Sequence, residues 1–203
     1  MTDLMDLLQG QLSGAVLESL TSNLGAKNQQ QTQNATNDAV SILVNALAKN
    51  AASPKGASAL GAALDRDHDG SVLDDLMGMM AGSSSASPKA LDGSGILGHI
   101  LGGNQSSAID MLSKRSGMNK NQTLSLLIKL APVIMGVLGK MKKSTNVDIT
   151  GLPDILSGAA TKVNKQSSGG NILGSLLDQD GDGNLNNEIK KVGFSFLKSL
   201  FRR

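Results

Sequence analysis

Two short acidic stretches of the chain carry residues whose types and spacing suit metal binding. Residues 64–75 read L-D-R-D-H-D-G-S-V-L-D-D, and residues 177–188 read L-D-Q-D-G-D-G-N-L-N-N-E. In each stretch three carboxylates alternate along the chain and can converge on one hard cation. The glycine after the third carboxylate permits the turn that brings later oxygen ligands round. We predict calcium as the ion. The predicted ligands are Asp65, Asp67, Asp69, Ser71 and Asp75 in the first loop, and Asp178, Asp180, Asp182, Asn184 and Glu188 in the second.

This pattern is the opening half of an EF-hand-type calcium loop, but the closing half departs from it. Such a loop ends with a bidentate Glu at its twelfth position, where this chain has Leu76 and Ile189. Both stretches place an acid one position earlier, at Asp75 and Glu188. The same change in both indicates a shortened variant of the loop. The alternative is a pair of turns that bind no metal, because Asp and Gly are ordinary turn residues. The ordered repetition favours calcium.

The composition points to an aliphatic helical core and away from several functional classes. The 203 residues include 24 Gly and three Phe, and they include no Trp, Tyr or Cys. Such a core must be built from Leu, Ile, Val, Ala and Met. A net charge of +2 gives no reason to expect a nucleic acid partner. Two distant histidines, His68 and His99, form no zinc motif. We therefore expect a protein that is not an enzyme.

Hydrophobic periodicity predicts an all-α fold. Aliphatic residues at helical spacing run through residues 3–24, and Gly25 follows as a C-cap. A second helix covers residues 40–47. The polar residues 27–37 before it are either a low-complexity segment or the solvated start of that helix. Ser53 and Pro54 mark the start of a further helix, which leads into the first acidic loop.

The most apolar run of the chain, residues 124–139, predicts a helix buried nearly all round. It is short for a membrane span and contains Lys129, which favours a core helix. Pro132 should kink or break it.

The pattern of the first half returns later in the chain, which predicts an internal duplication. The predicted units are a first helical repeat at 1–82, a Ser/Gly/Pro-rich linker at 83–94 and a second repeat at 95–203. The second repeat carries an insert at 144–171 with one weak helix at 153–160. The 92-residue offset relates Leu4, Leu8, Gly10, Leu17, Leu20, Gly25 and Gln30 to Ile96, Ile100, Gly102, Ile109, Leu112, Gly117 and Gln122.

The two ends of the chain bear on location and partners. Residues 1–10 lack the basic region and cleavage site of a secretory signal, so we expect a cytoplasmic protein by default. Residues 188–203 predict a basic amphipathic helix with all three Phe. This helix either packs on the core, which we favour, or docks on a membrane surface or a partner. The glycine-rich segment from Gly93 to Gly103 is a second candidate for self-association or partner binding.

Three stretches resemble one bacterial family. They are G-I-L-G-H-I-L-G-G at 95–103, A-I-D-M-L-S-K-R-S-G-M at 108–118 and L-D-R-D-H-D-G-S-V-L-D-D-L-M-G at 64–78. Together they are similar to the domain-of-unknown-function family numbered 937, which includes YidB-like proteins. The resemblance implies an all-helical, glycine-rich fold in two diverged copies, and it implies no activity. The residues that it carries over are Asp65, Asp67, Asp69 and Asp75, and by the repeat Asp178, Asp180, Asp182 and Glu188.

The leading functional expectation is therefore a non-enzymatic calcium-binding helical protein whose ions stabilise helix packing. Calcium that binds only the folded state adds stability by mass action. The alternative is a self-associating or partner-binding scaffold whose acidic loops hold no metal and only cap helices.

Overall fold

The computed structural model describes residues 3–12, 14–67, 92–145, 147 and 150–166. These residues form helices joined by turns, with no strand among them, which confirms the all-α class. The second acidic loop, the predicted C-terminal helix, most of the first loop, most of the linker and part of the insert lie outside these residues. In chain order the helices are α1 (Leu4–Gln11), α2 (Ala15–Leu24), α3 (Gln29–Ala51), α4 (Pro54–Asp67), α5 (Gly93–Leu101), α6 (Gln105–Ser116), α7 (Lys120–Thr145) and α8 (Leu152–Gln166), with a 3-10 turn at Gly102–Asn104.

The segment predicted as one N-terminal helix forms two helices, because the chain turns at Gly14. This glycine has a φ of 56°, in the left-handed region that other residues rarely adopt. Asp3 caps α1, since its carboxylate accepts a hydrogen bond from the amide of Met5 at 3.0 Å. Helix α2 ends at Gly25, whose φ of 60° confirms the predicted C-cap.

The polar residues 27–37 are mostly the start of a helix and not a linker. Helix α3 begins at Gln29, because the side chain of Asn28 accepts a hydrogen bond from the amide of Gln31 at 2.8 Å. The solvent exposure of the helix then decreases along its length. Its first turns are largely exposed, whereas residues 39–47 are all buried. This buried stretch is one half of the molecular core.

Helix α7 supplies the other half of the core and packs along α3. Residues 130–139 are all buried, as the apolar run predicts. The helix continues through Pro132, so the predicted break does not occur. Packing on both sides of the proline offsets the roughly 3 kcal/mol that an interior proline costs a helix. Among the described residues α7 alone is long and apolar enough to cross a membrane. The fold buries 67% of its most apolar stretch.

Helix α8 belongs to the core, although its sequence predicts only a weak helix inside an insert. It runs from Leu152 to Gln166 and packs on α3 and α1 through buried side chains. Asn164 on α8 and Asn45 on α3 exchange amide hydrogen bonds of 3.1 and 3.2 Å. Because Asn45 is buried, this reciprocal pair fixes how α8 sits on α3.

Helix α5 begins at Gly93, one residue before the predicted end of the linker at residue 94. Asp92 starts it by accepting a hydrogen bond from the amide of Gly95 at 2.9 Å. Gly93 lies against α7, where an added Cβ would stand 2.1 Å from the carbonyl oxygen of Ile128. The glycine therefore permits a close approach of the two helices.

Candidate metal site

Of the ten predicted calcium ligands, the structure describes the backbone of two, Asp65 and Asp67. Both lie in α4, whose last residue is Asp67. The predicted ligands Asp69, Ser71 and Asp75, and those of the second loop, Asp178, Asp180, Asp182, Asn184 and Glu188, lie outside the described residues and stay predictions. Within the described ranges, no three His, Asp or Glu side chains come close enough to hold a metal ion. Any calcium site at the first loop therefore needs residues beyond Asp67.

Local sequence explains why α4 leads to the first acidic stretch. The hydroxyl oxygen of Ser53 accepts a hydrogen bond from the amide of Gly56 at 3.1 Å, and Pro54 is the first helical residue. This confirms the predicted helix start. Buried Leu60 and Leu64 then hold the helix against α3 and α7. Leu64 anchors the last turn, so the neighbouring Asp65 has a defined position at the surface.

Asp65 is paired with a cation of the protein itself. The ammonium group of Lys142, in the last turn of α7, forms an ion pair with the carboxylate of Asp65. The Lys142 side chain is 13% exposed, whereas that of Asp65 is 64% exposed. The lysine side chain is therefore mostly covered by the protein, whereas most of the Asp65 side chain faces water. The water-facing side of Asp65 stays open.

The helical backbone at residues 65–67 is not the shape of an EF-hand-type loop. Positions 65 and 67 are two residues apart in α4, which separates them by about 200° around the helix axis. An EF-hand-type loop directs its first and third ligands at the same ion. The last turn of α4 would have to open for both positions to serve one calcium ion.

The side chains of two glutamines form hydrogen bonds between the halves of the molecule, a relation that was not among the sequence-based predictions. Nε2 of Gln31, at the start of α3, donates to the carbonyl oxygen of Ser116 at the end of α6, 2.9 Å away. Nε2 of Gln122, at the start of α7, donates to the carbonyl oxygens of Leu24 and Gly25 at the end of α2, both at 2.9 Å. Each glutamine thus caps the helix that precedes the opposite long helix.

The same glutamines also close the starts of their own helices. Gln122 accepts a hydrogen bond from the amide of Asn119 at 2.9 Å, and Asn119 accepts one from the amide of Gln122 at 2.9 Å. Gln31 likewise accepts from the amide of Lys27 at 3.0 Å. The pattern N-x-x-Q, a relative of the capping box, is the sequence signal that could have revealed both sites. In this pattern Gln122 corresponds to Gln31. The 92-residue offset predicted from the sequence instead makes Gln122 correspond to Gln30.

An open groove of about 780 Å³ lies between α4 and α5. Its floor is apolar and includes the buried residues Leu47, Leu60, Ile100 and Met135. Lysines 49 and 55 and the exposed His99 stand on its walls. Asp92 and the polar residues Asn50 and Ser53 line the same groove. The α5 wall belongs to the glycine-rich segment that the sequence singles out as a candidate docking surface.

A second cleft of about 600 Å³ separates α1 from the first half of α3. Arg115 of α6 and Asp38 of α3 close one side of it by paired hydrogen bonds of 3.0 and 3.2 Å. Thr36 also lines the cleft and is 2% exposed. Within the part of the chain that the structure describes, its hydroxyl has no hydrogen-bond partner. A buried hydroxyl without a partner costs about 1–3 kcal/mol.

The described residues form an all-α fold centred on two long helices, α3 and α7, whose middle stretches are buried. Comparison with family models gives the more particular result. A model described as "Bacterial protein of unknown function (DUF937)" matches residues 6–141, and the chain belongs to this family. The match runs from within α1 to within α7 and includes the first acidic stretch. Comparison with curated proteins and with solved structures gives no match.

Proposed function

We propose that the protein is a non-enzymatic calcium-binding protein whose ions stabilise its helix packing. The observation that supports this proposal most directly is the position of Asp65. Its exposed carboxylate stands at the end of α4, where the D-x-D-x-D-G sequence begins, and it already attracts the ammonium group of Lys142. Carboxylate oxygens are the ligands that calcium prefers. The oxygen donors of this sequence suit such an ion, and the carboxylate of Asp65 already binds a cation, the ammonium group of Lys142.

A calcium ion at the end of α4 would act on the core through the packing of that helix. Helix α4 contacts both α3 and α7, and Leu64 is buried beside Asp65. An ion that binds only the folded chain stabilises it by about 2.7 kcal/mol when its free concentration is a hundred times the Kd. The proposed role is therefore structural, with the ion tying the loop after α4 to the two central helices.

Isothermal titration of the metal-stripped protein with calcium, repeated with magnesium, tests this proposal. We expect two calcium sites, and a calcium-dependent rise of Tm that disappears in the double variant Asp65→Ala with Asp178→Ala. The variant Glu18→Ala with Asp154→Ala is the matched control, since it removes two exposed acids from α2 and α8. A double loop variant that keeps the whole calcium effect, or a wild-type protein that gives no heat, would rule the proposal out.

We further infer that the two halves of the family domain are copies of one ancestral unit. The reciprocal caps made by Gln31 and Gln122 support this inference. In each half, a glutamine at the start of the long helix donates hydrogen bonds to carbonyl groups at a helix end in the other half. Both long helices also start with an Asn N-cap followed by a buried Thr, at Asn28 and Thr32 and at Asn119 and Thr123. The Gly25 and Gly117 C-caps, both at positive φ, precede them. The family match over residues 6–141 includes both of these sets of residues.

A self-associating scaffold is the second candidate function, and the groove between α4 and α5 favours it. The groove is open and apolar at its floor, and Ile96 of the glycine-rich segment lies on its α5 side. The proposed occupant is a second copy of this chain. Sedimentation at several concentrations tests it with Ala63→Glu, a change of one groove residue. A wild-type protein that is monomeric throughout would exclude this candidate, and a dimer that Ala63→Glu abolishes would support it.

A further inference from the structure

We propose that the groove between α4 and α5 binds a free amphiphilic anion with one aliphatic chain, such as a fatty acid. Its charged head lies at the end of the groove where α4 begins, and its tail lies along the apolar floor. This inference does not depend on calcium binding. It gives the groove an occupant other than the second copy of the scaffold candidate, and the charge of the groove distinguishes the two.

The exposed cations at the start of α4 share one end of the groove with the end of α5. Asn50 donates a hydrogen bond of 2.9 Å to the carbonyl oxygen of Ile100, which brings the start of α4 beside the end of α5. Lys49, Lys55 and His99, all exposed, therefore stand at this same end. Within the described part of the chain neither lysine forms an ion pair. Their charges are open to a ligand.

The stability of α4 itself does not explain the position of Lys55. It is the second residue of this helix, and the helix dipole disfavours a cation in the first turn. The dipole and the lysine together make this end of the groove positive. Asp92 is the one acid among the described residues that line the groove. It lies at the other end of α5, where its carboxylate accepts a hydrogen bond from the amide of Gly95 at 2.9 Å.

The middle of the groove suits an aliphatic chain. Helix α4 lines it with a stripe that is charged at its ends and mostly apolar between them, formed by Lys55, Gly56, Ala59, Leu60, Ala63 and Arg66. At 1.5 Å per residue this stripe spans about 16 Å. No aromatic ring on which a planar ligand could stack is among the described lining residues. The volume of about 780 Å³ lies within the range of about 300–1,000 Å³ that is typical of small-molecule sites.

The apolar floor suits either occupant, but the charge at the rim favours the anion. In a symmetric dimer the same surface patch of both chains meets, so Lys49 and Lys55 of one chain would approach the same lysines of the other. Like charges at such an approach repel each other. The carboxylate of a fatty acid is instead attracted by both lysines while its tail covers the floor of the groove.

Isothermal titration with dodecanoate below its micelle concentration tests the proposal, with dodecyltrimethylammonium as the cationic probe of equal chain length. We expect the wild-type protein to bind dodecanoate, and to bind the cationic probe at least about 10-fold more weakly. Lys49→Gln with Lys55→Gln should weaken dodecanoate binding about 3- to 10-fold, in the range of two exposed ion pairs. The matched control is Lys27→Gln with Lys114→Gln, which removes two exposed lysines outside the groove. It should change the affinity little.

The position of the bound ligand is measured by the backbone amide shifts of the wild-type protein. We expect dodecanoate to move the signals of Gly56, Ala59 and Gly95, and unmoved signals with bound dodecanoate would overturn the proposal. Equal affinities for the two probes, or equal losses in the two double variants, would also overturn it. So would a protein that does not bind free dodecanoate but dimerises in sedimentation, which indicates a second copy, or that binds anionic vesicles alone, which indicates a membrane surface.

Discussion

The side chain of Gln122 reaches across the molecule to Gly25 and donates a hydrogen bond of 2.9 Å to its carbonyl oxygen. The two residues are 97 positions apart in the chain. Gly25 ends α2, and Gln122 lies in the first turn of α7. The carbonyl groups at the end of a helix have no partner within it. Gln122 at the start of α7 therefore provides a partner for the end of α2. In the same way, Gln31 at the start of α3 provides a partner for Ser116 at the end of α6.

Replacing Gln122 by Ala should destabilise the protein by about 1–2 kcal/mol, because it removes a cap of α7 and two bonds to the end of α2. Urea denaturation followed by far-UV circular dichroism measures this loss. Gln33→Ala, at an exposed position of α3, is the control and should change stability by less than about 0.5 kcal/mol. Equal effects of the two substitutions would show that the cross-molecular caps contribute nothing.

Two glycines of α5 should respond to alanine in opposite directions. An added Cβ at Gly93 would meet the carbonyl oxygen of Ile128 at 2.1 Å, whereas at Gly98 no atom lies within 4 Å. Gly93→Ala should cost about 1–3 kcal/mol, because it forces α5 away from α7. Gly98→Ala should stabilise by up to about 1 kcal/mol through helix propensity. Thermal unfolding of both variants tests this, and a stable Gly93→Ala protein would contradict the close approach.

Replacing the hydroxyl of Thr36 by a methyl group should leave stability unchanged or raise it. Thr36→Val removes a buried hydroxyl that has no partner among the described residues, and such a change is neutral or stabilising. The buried Thr123 is the matched comparison, since its hydroxyl donates to the carbonyl of Asn119 at 2.9 Å. Thr123→Val should cost about 0.5–1.5 kcal/mol. A loss at Thr36 as large as that at Thr123 would mean that the Thr36 hydroxyl has a partner.

The ion pairs between α8 and α1 should make stability depend on pH at both extremes. Lys162 lies 2.9 Å from a carboxylate oxygen of Asp6 and 3.4 Å from one of Asp3. The hydrogen bond and the charge of Lys162 lower the pKa of Asp6, and the hydrogen bond to Asp6 raises the pKa of Lys162. The folded pKa of Asp6 is below its unfolded value, so its contribution is present at neutral pH and is lost as pH falls through the folded pKa.

For Lys162 the shift of the pKa, and therefore the dependence of its contribution to stability on pH, has the opposite direction. Its folded pKa lies above the unfolded value, so its contribution is present at neutral pH and is lost as pH rises through the folded pKa. We expect the stability difference between wild type and Asp6→Asn to shrink below about pH 4 and above about pH 10.5. Urea unfolding at pH 3, 7 and 11 checks this. The exposed Asp154→Asn is the control, and a difference that stays constant with pH would refute the assignment.

Interactions that act within a few residues could be predicted from the sequence. Helix starts at Asp3 and Ser53, the C-cap at Gly25 and the buried run of α7 all follow from local spacing and from single residue types. The acidic stretch after α4 was equally visible as a pattern. Asp65, the first predicted ligand, lies at the surface in the last turn of α4, and its role as a metal ligand stays a prediction.

Only the tertiary structure decided which residues of distant helices contact one another. Lys142 is 77 residues from Asp65, and Asn164 is 119 residues from Asn45, so no local pattern relates them. The weak helical signal of α8 did not predict its place in the core, because burial on α3 rather than intrinsic propensity stabilises it. Sequence alone determined the helical class and the helix ends that carry a capping residue, since capping and periodicity are local. The fold determined which charges and amides pair, since pairing depends on how distant helices pack.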